Sequence, residues 1–470
     1  MATVMSRSSK LIPDYRTIWR WHFYAGLFCI PFVLWLAATG SIYLFKPQVE
    51  AWMDRPYRGL ATPGQTVVKP DAQVAAALAA VPGSNLHYYE LPREASSAAQ
   101  IVVGKEYDEF RVYVHPVTAA ALKVENEDRR FMKVIFRLHG ELLAGDRGSL
   151  LVELAASWTI MMILTGLALW QPRDRFRAAG MLYPRFNQSS RGVWRDLHSV
   201  TGLWASLFAL AFLLTGLPWA KNWGGYFKRV RTVLGASSVS LDWTTGRQWE
   251  LDRRMARNGG EHAAHNAPTP QQRKFGRAAR MRAGAGKPED YDAIDRVLPA
   301  AVSLRLAYPV QISPPLAKGQ PWTVQSDSQN RMLRDTYTVD AASGAIGGHT
   351  GFMDKAALDR AVSIGISAHE GQLFGWLNQL MDLSIAVSLT LLAVSSAVLW
   401  LRRRPMGLLG APTPLPSQPV PGLTMAIIAA TAIYLPLLGA SLVLILAAEW
   451  LVLRRLPGVR TWLGLRPPAI

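Results

Sequence analysis

Long apolar stretches dominate the hydropathy pattern of this chain of 470 residues. A helix needs about 20 mostly apolar residues to cross a bilayer. Five stretches contain no Asp, Glu, Lys or Arg, namely 21–45, 154–172, 197–220, 383–401 and 405–448. The first four each predict one transmembrane helix, so the pattern indicates an α-helical integral membrane bundle with four core spans.

The fifth stretch has a different internal pattern. It includes Ala411–Pro421, whose five prolines cannot continue a helix. The apolar segment that follows, 423–453, is interrupted at Pro436 and Gly439. This segment predicts either one kinked membrane helix or a helical hairpin of two short helices, and the sequence leaves both possibilities open.

Basic residues are concentrated on one side of the predicted spans. They precede the first span, fill the link between the second and third spans, and follow the fourth span at Arg402–Arg404. Short basic segments stay in the cytoplasm, so the long connections 46–137 and 221–366 are predicted in the periplasm. No cleavable signal peptide is indicated, because the first span is too long. We therefore expect a multi-pass protein of the bacterial inner (plasma) membrane.

These assignments divide the chain into alternating membrane and soluble parts. The predicted order is a cytoplasmic N-terminus (1–20), TM1 (21–45), a first periplasmic domain (46–137), an interfacial segment with TM2 (138–172), a cytoplasmic loop (173–196), TM3 (197–220), a second periplasmic domain (221–366), an interfacial segment with TM4 (367–401), a Pro-rich cytoplasmic loop (402–422), the membrane helix or hairpin (423–453) and a tail (454–470). No Gly-rich dinucleotide fingerprint occurs in the short cytoplasmic segments, so any nicotinamide or flavin donor must be another molecule.

Residues recur at matched offsets in the two halves of the chain, which indicates an internal duplication. TM1 and TM3 share a pattern of His, Gly and Thr-Gly: His22, Gly26, Thr39 and Gly40 in one, His198, Gly202, Thr215 and Gly216 in the other. TM2 and TM4 share a second pattern: His139, Leu143, Gly145 and Trp170 in one, His369, Leu373, Gly375 and Trp400 in the other. The predicted architecture is two copies of span, soluble α+β domain and span, followed by a C-terminal appendage.

Each long connection predicts a helix followed by short alternating strands. The predicted elements are the helix Asp71–Val81 and the strands Ile101–Val103 and Phe110–Val114, then the helix Tyr291–Val302 and the strands Leu304–Ile312, Trp322–Gln325 and Thr336–Val339. An insertion at 247–287 carries ten basic and three acidic residues. We interpret it as a solvated, mobile loop, with a surface for anionic ligands or lipid headgroups as the alternative. Its His262 and His265 are a weak metal signal.

Four histidines lie at the ends of the predicted spans, where ionisable side chains are usually functional. His22 and His198 are predicted at the cytoplasmic surface, and His139 and His369 at the periplasmic surface, so each surface has one pair. Haem iron takes axial ligands from bundle helices, and two neutral imidazoles leave no open position, which favours electron transfer. The single cysteine, Cys29, excludes haem attachment through a Cys-x-x-Cys-His motif.

Several neighbouring residues have competing interpretations. Gly26 and Gly202 lie one helical turn from a histidine and allow either a porphyrin or another helix to approach the backbone. The remaining residues are interpreted as follows: Trp170 and Trp400 as interface anchors, His87 and His115 as surface or turn residues, and Glu141 and Glu370 as groups that orient an imidazole, contact a substrate or are purely structural. His369-Glu370 does not start a zinc motif, because position 373 is Leu.

These motifs resemble the PepSY-associated transmembrane helix family, particularly its bacterial inner-membrane ferric-siderophore reductases. The resemblance rests on Trp21-His22 with Gly26, Leu138-His139-Gly140-Glu141-Leu142-Leu143 with Gly145, Leu197-His198 with Gly202, and Ala368-His369-Glu370 with Gly375. The segments 113–118 and 337–344 are similar to PepSY domains. The resemblance therefore implies two periplasmic α+β PepSY-like domains beside the membrane bundle.

The resemblance also implies two haem b groups and reduction of the Fe(III) of a siderophore in the periplasm. Our assignment pairs His22 with His198 for the cytoplasmic haem and His139 with His369 for the periplasmic haem. Expected partners are a ferric siderophore, a cytoplasmic or quinone electron donor and the lipid bilayer, but no nucleic acid. Two alternatives stay open: a haem b electron-transfer protein for another acceptor, and a haem-free PepSY regulatory or structural membrane protein.

Overall fold

The computed structural model describes residues 14–170, 178–233, 247, 250, 251, 254, 257, 291–315, 319–413 and 422–465. These residues belong to two compact units. The first unit comprises Met1–Ser41, His139–Val230 and Leu380–Ile470, and the second comprises Ile42–Leu138 and Arg231–Gln379. Each unit is thus assembled from segments that are far apart in the sequence.

The helices have the following bounds in chain order: α1 (Tyr15–Tyr43), α2 (Lys46–Met53), α3 (Pro70–Ala80), α4 (Phe131–Glu141), α5 (Gly145–Trp170), α6 (Ser190–Gly216), α7 (Lys221–Val233), α8 (Ile294–Ser303), α9 (Ala357–His369), α10 (Trp376–Arg403), α11 (Gly422–Tyr434), α12 (Pro436–Leu451) and α13 (Pro457–Leu463). Five helical segments of the described residues are long and apolar enough to cross a membrane: Tyr15–Tyr43, Gly145–Trp170, Ser190–Trp219, Trp376–Arg403 and Pro436–Arg455. The first four contain nearly all of the charge-free stretches that predicted TM1 to TM4.

Gly145 and Gly375, which match in the two halves of the sequence, occupy the same position, because each lies at the start of a long apolar helix. Gly145 begins α5 with φ +59°, and Gly375 precedes α10 with φ +61°. Side chains with a Cβ atom rarely adopt this left-handed conformation, so glycine is the residue that such a position favours.

The C-terminal apolar segment forms two helices, α11 and α12, which meet at Leu435. A Cβ atom at Gly439 would lie 3.1 Å from the carbonyl oxygen of Ala432. In a continuous helix, residues seven apart are separated by about 10 Å, so the chain turns sharply here. Beyond the turn, Ser441 on α12 accepts a hydrogen bond from the indole of Trp158 on α5 at 3.1 Å. Of the two predicted possibilities, the pair of helices is the one observed.

A buried glutamate on α5 caps the first turn of α7. Glu153 is 3% exposed, and its carboxylate accepts hydrogen bonds from the backbone N–H groups of Asn222 at 2.9 Å and Trp223 at 3.1 Å. The first N–H groups of a helix have no partner within it, so the carboxylate and the helix satisfy each other. This acidic side chain therefore has a structural role in the bundle.

The strands of the second unit form one antiparallel sheet of eight strands in the order β4-β3-β2-β1-β5-β6-β7-β8. Their bounds are β1 (Asn85–Glu90), β2 (Ala99–Lys105), β3 (Asp108–Val114), β4 (Ala121–Asn126), β5 (Val310–Ser313), β6 (Trp322–Ser326), β7 (Thr336–Val339) and β8 (Ile346–Thr350). The two long connections contribute four strands each, and β1 pairs with β5 through Tyr89 and Ile312. The first connection thus shares its sheet with the second, and α3 and α8 contribute to one common hydrophobic core.

The predicted elements of these connections differ from the observed ones in specific places. The predicted strand Leu304–Ile312 is largely wrong, because only its last three residues lie in β5. Leu304 is the C-cap residue directly after α8, Arg305 adopts φ +48°, and Pro309 has no N–H group for a sheet hydrogen bond. The strands β1, β4 and β8 were not predicted.

His87 is not a surface or turn residue, as the sequence suggested. It lies in β1 with 3% exposure, and its Nδ1 atom is 2.7 Å from the Glu109 carboxylate on β3. His115, by contrast, is the predicted turn residue, since its Nδ1 atom accepts a hydrogen bond from the backbone N–H of Val117 at 3.1 Å.

The start of the basic insertion is buried in ion pairs, which contradicts a solvated loop for these residues. Arg254 is 4% exposed and lies 2.9 Å from Glu109, 2.8 Å from Asp128 and 3.0 Å from Glu250. Burial raises a carboxyl pKa, but the charges of Lys133 and Arg254 outweigh it and lower the pKa of Glu250 to about 2. The rest of the insertion, including His262 and His265, lies outside the described residues.

We expect Arg254→Gln to destabilise the sheet by about 3 kcal/mol, at the lower end of the range for breaking a buried ion pair. The lower end applies because the three carboxylates keep 14–22% exposure and can be partly rehydrated. Hydrogen exchange of β3 and β4 in the full-length protein measures this loss. Arg296→Gln is the matched control, because Arg296 is exposed and its Nε donates to a carbonyl of the same unit. Equal exchange rates in both variants would contradict a stabilising role for the Arg254 cluster.

Candidate functional site

Two of the four predicted histidines lie side by side in the first unit. His22 is on α1 and His198 is on α6, and the centroids of their imidazole rings are 6.3 Å apart. The ring planes are inclined at 75°. The structure therefore brings together the two residues that the sequence predicted as a pair at one end of the bundle.

A hydrogen bond to α5 fixes the tautomer of His22. Its Nδ1 atom is 3.0 Å from the carbonyl oxygen of Met162 and 3.1 Å from the hydroxyl of Thr165. A carbonyl oxygen can only accept, so Nδ1 must carry the proton and donate it. The other ring nitrogen, Nε2, then has a free electron pair in the neutral imidazole and is suited to bind a metal.

His198 is held in the same tautomer by α10. Its Nδ1 atom lies 3.1 Å from the Ser395 hydroxyl and 3.2 Å from the Ser396 hydroxyl. Both hydroxyls donate their own protons to the carbonyl of Leu392, at 3.0 Å and 2.7 Å. The serines consequently accept from His198, and the Nε2 atom of this ring also keeps its electron pair.

The residues on α5 and α10 that contact the two histidines recur at matched positions in the two halves of the sequence. Thr165 and Ser395 lie 26 residues after His139 and His369, and Met162 and Leu392 lie 23 residues after them. These acceptors were not singled out from the sequence. A signal was present, because a hydroxyl residue recurs at one fixed offset in both copies.

The spacing of His22 and His198 fits a metal ion between their rings. A metal–imidazole bond is about 2 Å long, so two imidazoles on opposite sides of one metal ion have centroids roughly 6 Å apart. The observed 6.3 Å agrees with this value. The donor set, two neutral nitrogens held from behind by other helices, suits a haem iron.

Gly26 and Gly202 leave room beside this pair. A Cβ atom at Gly26 would lie 3.6 Å from the Met162 sulfur, and one at Gly202 would lie 3.6 Å from Leu392 Cδ2. Both distances are ordinary van der Waals contacts, so packing between the helices does not by itself require glycine. Gly166 differs, because a Cβ atom there would approach the His22 ring to 3.1 Å.

The comparison with known families identifies the kind of protein that carries this site. The family described as PepSY-associated TM region matches residues 19–403, which include all four histidines and α1 to α10 almost completely. The chain belongs to this family. Together with the five apolar helices, the match identifies a multi-pass membrane protein. No curated protein matches the chain.

A third histidine of this PepSY-associated protein is oriented in the same way. The Nδ1 atom of His139 on α4 lies 3.1 Å from the hydroxyl of Thr39 on α1, which itself donates to the Trp35 carbonyl at 2.8 Å. A Cβ atom at Gly40 would come within 3.0 Å of the His139 ring. The Thr-Gly motif of the first span therefore accommodates His139, and burial lowers the pKa of this imidazole to about 4.

The fourth histidine, His369, is the last residue of α9 in the second unit. Its helix is anchored by a buried ion pair between Asp359 and Arg231, with the Arg231 Nε 2.7 Å from the carboxylate. Glu370 follows with 7% exposure, and its carboxylate is 4.0 Å from Arg331. Because His139 and His369 belong to different units, their pairing stays a prediction.

The tryptophans at the ends of the spans bind the connections that follow them. The indole of Trp170 donates to the Met181 carbonyl at 3.2 Å, and that of Trp400 donates to the Leu409 carbonyl at 2.8 Å. Glu141 ends α4 as a partly buried residue, in keeping with a structural or orienting role.

Proposed function

We propose that this PepSY-associated protein is a haem b oxidoreductase of the bacterial inner membrane that reduces the Fe(III) of a siderophore in the periplasm. The observation that carries the proposal is the pair of histidines His22 and His198. Their rings are 6.3 Å apart, and each is held through Nδ1 by a neighbouring helix.

His22 and His198 would hold the haem, which would supply one-electron transfer. The protein's own contribution is to hold the ligands. Met162 and Thr165 orient one imidazole, and Ser395 and Ser396 orient the other, so both nitrogens are fixed before the cofactor binds. Such hydrogen bonds behind a metal ligand also set its basicity.

A second haem is assigned to His139 and His369. Thr39 holds His139 through Nδ1, just as Thr165 holds His22, which supports a common ligand role for these histidines. With the basic segments in the cytoplasm, this second pair lies at the periplasmic side, and the eight-stranded sheet is placed in the periplasm.

With haem held by the two histidine pairs, electrons from a cytoplasmic or quinone donor would cross the membrane and reduce a ferric chelate at the periplasmic unit. The chelate is the substrate and need not bond to the protein through its iron. Fe(II) has a lower charge than Fe(III) and is held less tightly by hard oxygen ligands, so reduction releases the iron.

Replacing each ligand histidine by Ala tests the assignment. His22→Ala and His198→Ala are expected to abolish the same half of the haem absorbance, because one haem needs both imidazoles, and His139→Ala and His369→Ala are expected to abolish the other half. Optical spectra of the purified full-length protein give the readout, and His115→Ala is the control. Colourless wild-type protein would favour the haem-free alternative, and unequal losses within a pair would refute the pairing.

Gly26→Ala and Gly202→Ala are expected to lower the haem content several-fold while leaving the melting temperature of the haem-free protein unchanged. The reason is that a Cβ atom at either position fits the protein itself and would obstruct only a ring that packs against the helix. Haem per protein and thermal unfolding of the apoprotein separate the two effects. Full haem content in both variants would show that these glycines have no part in binding the ring.

Reoxidation of the reduced protein distinguishes the proposed acceptor from others. Stopped-flow mixing of the reduced protein with a ferric siderophore is expected to oxidise the haem. Mixing with iron-free siderophore or with a soluble redox protein is expected to leave the haem reduced. The reason is that iron-free siderophore carries no electron acceptor, and the proposal gives a ferric chelate, not a redox protein, as the substrate. If the redox protein oxidises the haem and the ferric chelates do not, the protein is a haem electron carrier for another acceptor.

A further inference from the structure

The arginines at the end of α10 are bound by neutral groups among the described residues. Arg402 donates to the Ser190 hydroxyl at 2.7 Å, and Arg403 donates to the Gly410 carbonyl at 3.0 Å. Arg404 stacks on the ring of Trp400. The nearby carboxylate of Asp196 is already occupied by two other arginines, Arg185 and Arg195. This end of the bundle thus has an excess of positive charge.

Arg403 packs against aromatic rings and has one buried nitrogen without a hydrogen-bond partner among the described residues. Its guanidinium lies over the rings of Trp19 and Phe23 on α1, at 4.9 Å and 5.2 Å from their centroids. The buried nitrogen is its Nε atom. Arg191 on α6 is close enough to repel it. Arg403 is partly buried, whereas Arg191 is exposed. Two neighbouring guanidinium groups repel each other, and an anion that pairs with both removes this repulsion.

The same two arginines lie in register with the histidine pair. Arg191 precedes His198 by seven residues on α6, and Arg403 follows Ser396, which binds His198, by seven residues on α10. Seven residues are two helical turns, or about 10 Å along the axis. Trp19, under the Arg403 guanidinium, is one turn before His22 on α1. Arg191 and Arg403 are therefore located together, beyond the histidines, at the end of the bundle.

We infer that Arg191 and Arg403 bind an oxyanion at this position, and that it is a propionate carboxylate of the haem held by His22 and His198. The inference rests on the proposed function. A porphyrin of the b type carries its two propionates on one edge, and a guanidinium pairs with a carboxylate through parallel charge-assisted hydrogen bonds. The phosphate of an anionic lipid has the same chemistry and is the alternative source of the oxyanion.

The test uses full-length protein in nanodiscs of phosphatidylcholine alone and in nanodiscs that also contain phosphatidylglycerol. Arg403→Gln and Arg191→Gln are compared with Arg404→Gln, a neighbouring exposed arginine, and with Arg403→Lys. The readouts are the midpoint potential of the haem that His22→Ala removes and the rate of haem transfer to apomyoglobin. These readouts do not depend on reductase activity, and two independent positions are tested in case one variant does not fold.

In both lipids, Arg403→Gln and Arg191→Gln are expected to lower the midpoint potential, since removing a cation near the haem favours its more positive ferric state. Haem transfer is expected to be about tenfold faster, which corresponds to about 1.4 kcal/mol. Arg403→Lys keeps the potential, and Arg404→Gln leaves both values unchanged.

Two results would overturn the inference while the proposed function stands. One is that the wild type binds haem, but Arg403→Gln and Arg191→Gln behave like Arg404→Gln. The other is an effect seen only with phosphatidylglycerol, which would assign the oxyanion to a lipid phosphate. A wild type that binds no haem in either lipid would instead refute the proposed function itself.

Discussion

The hydrogen bond from an imidazole Nδ1 atom to the neighbouring helix determines what the histidine site can do. For His22 the acceptor includes a backbone carbonyl, which leaves only one tautomer possible. For His198 the serine hydroxyls are committed to the Leu392 carbonyl, so the same tautomer results by a different route. In both cases Nε2 is the basic atom, and the ring is held in place before any ligand arrives. A metal–imidazole bond depends on both conditions.

The residues that recur at matched offsets in the two halves of the sequence made part of this site predictable. Costly ionisable residues at matched offsets indicated the four histidines and the pairing of His22 with His198. Thr165 and Ser395 could not be recognised in the same way, since Thr and Ser in membrane helices commonly bond to a carbonyl of their own helix. Their offset is meaningful only once α5 is known to face α1 and α10 to face α6. Such neighbours are fixed by packing, which a single sequence does not display.

The second unit shows the same limit. The alternating strands β2, β3, β6 and β7 were predictable, because half-buried strands have a two-residue period. The pairing of β1 with β5 was not, since hydrogen bonding between strand edges leaves no pattern in either strand. The charged start of the insertion was misread for a related reason. A run of basic residues usually stays in water. Arg254, however, pairs with Glu109 and Asp128 of the first connection as well as with the nearby Glu250, and the large sequence separation of the first two conceals the cluster.

Helix α1 takes part in both histidine sites of the first unit. It provides His22 at one end, and at the other end it provides Thr39, which accepts the hydrogen bond of His139. These two residues are 17 positions apart, or about 25 Å along the helix. Their separation is thus set by the rise of one helix and not by the conformation of a loop. A shared helix therefore gives the two histidine sites a spacing that depends on the helix alone.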